Sequence, residues 1–143
     1  MSTHALVSFF DVAEGAPLVT LYVHADGHPE SAGADLAGFL VPVVMTQGVS
    51  TARHTAAGAG CLAAQYIARF KTCPGDTYVV PYDTKDMDQD YEYEVTAGFP
   101  SRGDSVKLVT VYSHIANGAR HRLFSGDAEA FAEYCAAEAK EGK

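Results

Sequence analysis

The chain predicts an α+β domain, an antiparallel sheet built from hairpins with about three helices packed against it. Strand-like runs come in neighbouring pairs joined by turn residues. Helix-period stripes stand between and after those pairs instead of alternating with single strands. The length of 143 residues suits one domain, so 1–143 reads as a single unit. It contains no internal repeat, low-complexity tract or linker.

Val7 to Val12 and Leu18 to Val23 are rich in β-branched and aromatic residues, and Glu14-Gly15-Ala16-Pro17 between them reads as a hairpin loop. On the second run Val19, Leu21 and Val23 form the apolar face. Thr20 and Tyr22 share the other face with His24. Asp26-Gly27 and Pro29 stop that strand, and Ser31 is the expected N-cap of a helix carrying Leu36, Phe39, Leu40 and Val43. Pro42 is expected to end it. Val44 to Ala57 shows no sustained period and reads as a long loop with a short strand near Val43-Val44-Met45. Gly58 to Lys71 is the clearest helix, with Ala59, Leu62, Ala63, Tyr66, Ile67 and Phe70 on one stripe. Arg69 and Lys71 there oppose the helix dipole. Thr77 to Tyr82 and Tyr91 to Thr96 read as the next strands, the latter with Asp90, Glu92 and Glu94 on a wet face. Val106 to Ile115 and Arg120 to Phe124 follow as a hairpin closed by Asn117-Gly118. Ser125 or Asp127 caps a last helix bearing Ala128, Phe131, Tyr134 and Cys135.

The net charge of −8 repels phosphate backbones and anionic bilayers, so general nucleic-acid binding and membrane association are not expected. The three cysteines form no CxxC pair, which removes a zinc knuckle or a thioredoxin-like motif. The first residues lack the basic and apolar segments of a signal peptide. No apolar run reaches the length of a membrane span. The expected compartment is the cytoplasm, of a bacterium or of an infected host cell.

His24, Asp26, His28 and Glu30 place two imidazoles and two carboxylates within one turn. These are ligand types for zinc, manganese or iron. The plain alternative is a strand-to-helix turn whose Asp26-Gly27 and Pro29 serve geometry. A two-residue turn at Asn117-Gly118 would set His114 opposite His121 with Cβ atoms about 4.5–5.5 Å apart. That spacing suits a shared metal or an exposed hairpin end. The candidate metal ligands are therefore His24, Asp26, His114 and His121. Gly58 and Gly60 open the long helix, where free amides receive anions. Arg53 and His54 just upstream make this stretch the natural place for a negatively charged metabolite. Asp83, Asp86, Asp88 and Asp90 depart from a calcium loop, with Tyr91 at the glycine position and Ala97 at the closing position. No Gly-x-Ser-x-Gly elbow is present, and no catalytic residue is assigned.

Several stretches carry a resemblance: Tyr22-x-His24-x-Asp26-Gly27-His28-Pro29-Glu30, Gly33-Ala34-Asp35-Leu36-Ala37-x-Phe39-Leu40, Gly60-x-Leu62-Ala63-Ala64-Gln65, Tyr78 and Glu92-Tyr93-Glu94-Val95. Together, from Leu18 to Val95, they resemble a group of small uncharacterised proteins encoded by phages, prophages and bacteria. That family commonly has an aromatic where Ala25 and His28 stand. The resemblance implies a phage-type accessory protein and carries over no catalytic residue.

The leading expectation is a non-catalytic, homo-oligomeric binding protein for a small anionic, nucleotide-like ligand or a host protein. Its pocket would be formed by His24, Asp26, His28, Glu30, Arg53, His54, Gly58 and Gly60, with no cofactor. The alternatives are a hydrolase using a divalent transition metal on His24, Asp26 and His28, and a purely structural or interaction subunit.

Overall fold

Ala5, Val7 and Phe9 alternate with Leu6, Ser8 and Phe10, and this two-residue period decides which side of the sheet receives the helices. The computed structural model describes residues 3–48, 50–101, 103–114 and 119–141. Among these residues run eight strands: β1 (Ala5–Asp11), β2 (Pro17–Val23), β3 (Val44–Met45), β4 (Thr55–Ala56), β5 (Thr77–Val80), β6 (Tyr91–Gly98), β7 (Val106–His114) and β8 (Arg120–Asp127). The helices are α1 (Ala34–Leu40), α2 (Ala59–Phe70) and α3 (Ala128–Glu141). Six strands form one sheet in the order β5-β2-β1-β6-β7-β8, and β3 and β4 form a small parallel pair. The fold is thus α+β, with three helices on a mostly antiparallel sheet.

The β1–β2 and β7–β8 pairs are antiparallel neighbours, as the hairpin signals predict. β5 and β6 do not form a hairpin. β5 joins the outer edge of β2, while β6 pairs with β1 in parallel, setting Val7 beside Tyr93 and Phe9 beside Val95. The pairing reflects burial. The helix-facing residues of both central strands are apolar, so side by side they make a continuous core floor. Val7, Phe9, Tyr93, Val95, Val109 and Val111 are all at most 1% exposed. α2 lies over β1 and β2, α3 lies over β7 and β8, and α1 packs against α3.

Local chemistry sets the boundaries. Ser31 does not cap α1. It sits inside a π-helical turn, Pro29–Gly33, that precedes the helix, where the Gly33 N–H donates to the His28 carbonyl (3.2 Å). Asp127 does cap α3, its Oδ1 accepting from the Ala130 N–H at 2.9 Å. Lys107 reaches from β7 to the end of α1, donating to the carbonyls of Leu40 (2.7 Å), Val41 (3.1 Å) and Val43 (2.5 Å). Those are acceptors that a helix end leaves unsatisfied. Burial pushes the Lys107 amine below its ordinary range, against the nearby Glu129 and Asp127 carboxylates.

The stretch from Asp26 to Gly33 is tied to the sheet. Asp26 takes φ = 58°, a left-handed geometry that Asp tolerates through local hydrogen bonding. Its carbonyl accepts from the Ala32 N–H (3.1 Å). Gly27 is buried, and its N–H donates to the Thr3 carbonyl (2.9 Å). Its carbonyl accepts from the buried Tyr93 hydroxyl at 2.8 Å. A Cβ on Gly27 would lie 2.8 Å from the His4 carbonyl carbon and 3.0 Å from the Ala5 nitrogen, so only glycine fits. No described helix is long and apolar enough to cross a membrane.

Tyr93→Phe leaves the Gly27 carbonyl buried without a donor and is expected to lower unfolding free energy by about 1–3 kcal/mol. Urea unfolding measures it; an unchanged midpoint would show that the tie contributes nothing. Gly27→Ala is expected to cost at least as much, because the clash is with backbone.

Candidate ligand-binding site

Four hollows among the described residues bear on the ligand. They differ in charge, and charge decides which of them suits the ligand expected from the sequence.

At the turn, Asp26 lines a hollow of about 320 Å³ with Asp35, Asp76, Tyr66 and Phe70. Its ionisable side chains are carboxylates and phenol, with no basic residue among them, so an anion is repelled. It lies against the C-terminal end of α2. Gly58 and Gly60 lie at the other end of that 12-residue helix, which is about 18 Å long at 1.5 Å per residue. The structure therefore does not join the His24–Glu30 turn to the Arg53–Gly60 stretch in one pocket. Gly58 adopts φ = 91°, a conformation that explains glycine there by geometry. Gly60 is exposed in the first turn of α2, and Arg53 is exposed in the preceding loop.

The histidines are similarly dispersed. His28 Nε2 lies 2.7 Å from Thr3 Oγ1, and its Nδ1 is 4.0 Å from Glu30 Oε1. His24 instead stands beside Tyr22 and His4 on the sheet face that carries no helix, its ring centroid 4.9 Å from that of His4. His114 pairs with Arg120, and His121 pairs with Ser113. This is a one-residue slip from a two-residue turn, and it sends the two imidazoles to opposite faces of the sheet. The Asn117-Gly118 turn itself lies outside the described residues. Among the described residues, no three His, Cys, Asp or Glu side chains converge on a metal-sized point. His24, Asp26, His114 and His121 thus do not form one site.

Glu92 departs most from expectation. Asp90 on its strand face is exposed and Glu94 partly so, but Glu92 is covered, because residues 81–90 fold back across the helix-free side: Thr20 Oγ1 donates to the Tyr82 carbonyl (2.8 Å) and accepts from the Ser8 hydroxyl (2.9 Å). Glu92 is 9% exposed. His114 Nε2 donates to Glu92 Oε2. Arg120 Nη1 donates to Glu92 Oε1 (3.4 Å) and Glu94 Oε2 (3.1 Å) from above the Tyr112 ring, 3.9 Å from its centroid. Burial works against the Arg120 charge, but the hydrogen bond and the carboxylates raise its pKa. Gln89 closes the far side, its Nε2 at 2.9 Å from the same His114 nitrogen and its Oε1 accepting from the Met87 N–H (2.7 Å). The network floors a cleft of about 440 Å³ that also exposes Phe10, Tyr82, Asp83 and Lys85. Both signs of charge line it, and its main carboxylates already hold donors.

A third hollow, of about 450 Å³ between α1 and α3, is lined mainly by alanines and offers Glu30 as its one charged group.

The fourth hollow, of about 410 Å³, lies between the end of α1 and the outer side of α2. Phe39, Pro42, Val43 and Ala68 give it an apolar wall, and Gln65 an amide. Its ionisable groups are His54 and Arg69, and neither makes an ion pair among the described residues. His54 is held at φ = 63°, and the Arg69 guanidinium carbon lies 5.4 Å from the centroid of Phe70. Gln65 is oriented by its Nε2, which donates to the Thr55 carbonyl at 2.8 Å. Of the residues expected to bind a ligand, His54 is the one this basic hollow contains. Arg69, read from sequence as a dipole partner, is its second cation. That residues 54 and 69 line one hollow carries no local sequence signal.

Burial pushes the Cys135 thiol up to about 12, with Glu138 and Glu30 adding to it, so it stays protonated at neutral pH.

Comparison of the chain with protein-family models, curated proteins and solved structures found no match.

His114→Ala removes the nearest donor from a buried carboxylate. It is expected to lower unfolding free energy by about 1–3 kcal/mol, read by chemical denaturation. An unchanged stability would show that water reaches Glu92 freely.

Proposed function

We propose that this protein is a non-catalytic binding protein for a small anion with an apolar or planar body, of the nucleotide-like class. The ligand sits in the hollow formed by Phe39, Val43, His54, Gln65 and Arg69. One observation carries this reading: on a chain of net charge −8, this hollow exposes basic ionisable groups with no carboxylate among its lining residues. An anion there meets Arg69, whose planar fork matches carboxylate and phosphate oxygens. His54 adds a donor. The apolar wall covers the body of the ligand, as in most small-molecule sites. The resemblance to phage-encoded proteins supports an accessory role and bears on no chemistry. Association with a host protein or with a second copy is the other arm of the proposal, read by light scattering on the same samples.

A thermal-shift panel of nucleotides, sugar phosphates and aromatic carboxylates, with amines as controls, tests it. The expected result is stabilisation by one anionic class, worth about 2.7 kcal/mol at 100 times the dissociation constant, and lost in Arg69→Ala. Stabilisation by amines alone, by no member of the panel, or undiminished in Arg69→Ala would overturn it.

A further inference from the structure

The two edges of the large sheet are unequal. β5 ends one side and β8 the other. At β5 the His24 N–H donates to the Asp76 carbonyl (2.7 Å). By antiparallel alternation Tyr78 and Val80 also bond β2, while Thr77, Val79 and Pro81 face outward. Most of that rim is closed. The Thr77 N–H donates to the Gly75 carbonyl (2.9 Å), and the Thr77 carbonyl accepts from Lys71 Nζ (2.7 Å). Pro81 has no N–H, and its carbonyl accepts from the Thr84 N–H (2.9 Å). Devices of this kind keep an edge from pairing.

β8 is open by comparison. It runs for 8 residues without proline, and among the described residues no strand lies outside it. The His114 N–H donates to the Asp90 carbonyl of the β6 side (2.9 Å). Alternation then turns the backbone groups of Ser113, Val111 and Val109 toward β8, where they meet His121, Phe124 and Gly126. Arg120, Arg122, Ser125 and Asp127 therefore turn their N–H and C=O groups to the free edge. Leu123, the extra residue of a bulge, breaks the alternation at the middle of this set. The four outward positions are consequently symmetric about the Leu123–Phe124 bond. Half a turn of the strand exchanges Arg120 with Asp127 and Arg122 with Ser125.

The faces and charges agree with that exchange. All four residues stand opposite His114, Tyr112, Thr110 or Leu108, on the side of the sheet that carries no helix, so exchanged residues share a face. Arg120 of one copy meets Asp127 of the other. Asp127 caps α3 through Oδ1, and its second oxygen can accept from a guanidinium.

We propose that β8 pairs antiparallel with β8 of a second copy about a two-fold axis, joining two six-stranded sheets into one. Such an interface is isologous and closes at two copies. It takes up the second-copy arm of the function proposed above. It forms without ligand, so its failure leaves the anion reading standing.

Sedimentation equilibrium of untagged protein across a concentration series tests it. The mass is expected to rise to twice the 15.2 kDa of one chain and no further. Arg122→Pro and Ser125→Pro each remove one outward N–H without removing a bond to β7, and each is expected to weaken the dimer at least tenfold. Val79→Pro, at the other edge, is expected to leave it unchanged. Circular dichroism checks that each variant is folded. Amide hydrogen exchange of the unaltered protein needs no variant: the Arg122 and Ser125 amides gain protection as concentration rises, and the Val79 amide does not. A monomer at every concentration, an assembly that grows past two copies, a dimer that survives both proline variants, or one whose Arg122 and Ser125 amides stay unprotected would overturn the proposal.

Discussion

The hydrogen bond from the Tyr93 hydroxyl to the Gly27 carbonyl joins the two layers of the molecule. Tyr93 is fully buried at the centre of β6, where the hydroxyl must find an acceptor inside the protein. Burial also raises its pKa well above the ordinary tyrosine range, which keeps it a donor. The acceptor belongs to a glycine that alone fits against the start of β1. From that fixed point the chain enters the π-helical turn and then α1. Gly33, the last residue of the turn, leaves room for Cys135 of α3: a Cβ there would lie 3.0 Å from its sulfur. The helix layer is thus hung on one end of β2 through a stretch that looked, by composition, like a site.

This assignment reorganises the functional geography. Asp26 of the turn shares its hollow with Asp35 and Asp76, Glu30 lines the separate hollow between α1 and α3, and the imidazoles point elsewhere. On the helix side, basic character collects beside α2, where His54 and Arg69 line one hollow with an apolar wall. On the other side, His4, Tyr22 and His24 cluster at one end of the strands, and the Glu92 network fills the middle under residues 81–90. A buried carboxylate paired with an imidazole and a guanidinium tends to specify structure more than it stabilises it. Its donors lock β6, β7 and β8 in register on the face where no helix packs.

Much of the architecture was legible because it is local. β-Branched and aromatic content marked β1, alternation marked β2 and β6, a stripe marked α2, and Ser125 or Asp127 marked the start of α3. The misread features depend on distant contacts. The parallel partnership of β1 with β6 joins residues more than 80 apart in sequence, and no turn signal announces it. The acidic face of β6 looked solvated because its cover, residues 81–90, is a loop whose path no period describes. The His114–His121 pairing failed by a single residue, the smallest slip that moves a side chain across a sheet. His24 stood out from the start, while its neighbour His4 reaches it only through the antiparallel pairing of β1 with β2.

The central claim is that the conspicuous turn serves the fold while anion recognition belongs to the hollow beside α2. Titration of ¹⁵N-labelled protein with the best-stabilising anion, followed by amide chemical shifts, tests it most directly. The account predicts the largest shifts at Phe39, Val43, His54 and Arg69, with Asp26 and Gly27 unmoved. Shifts centred on Asp26 to Glu30, or on Glu92 and His114, would contradict it.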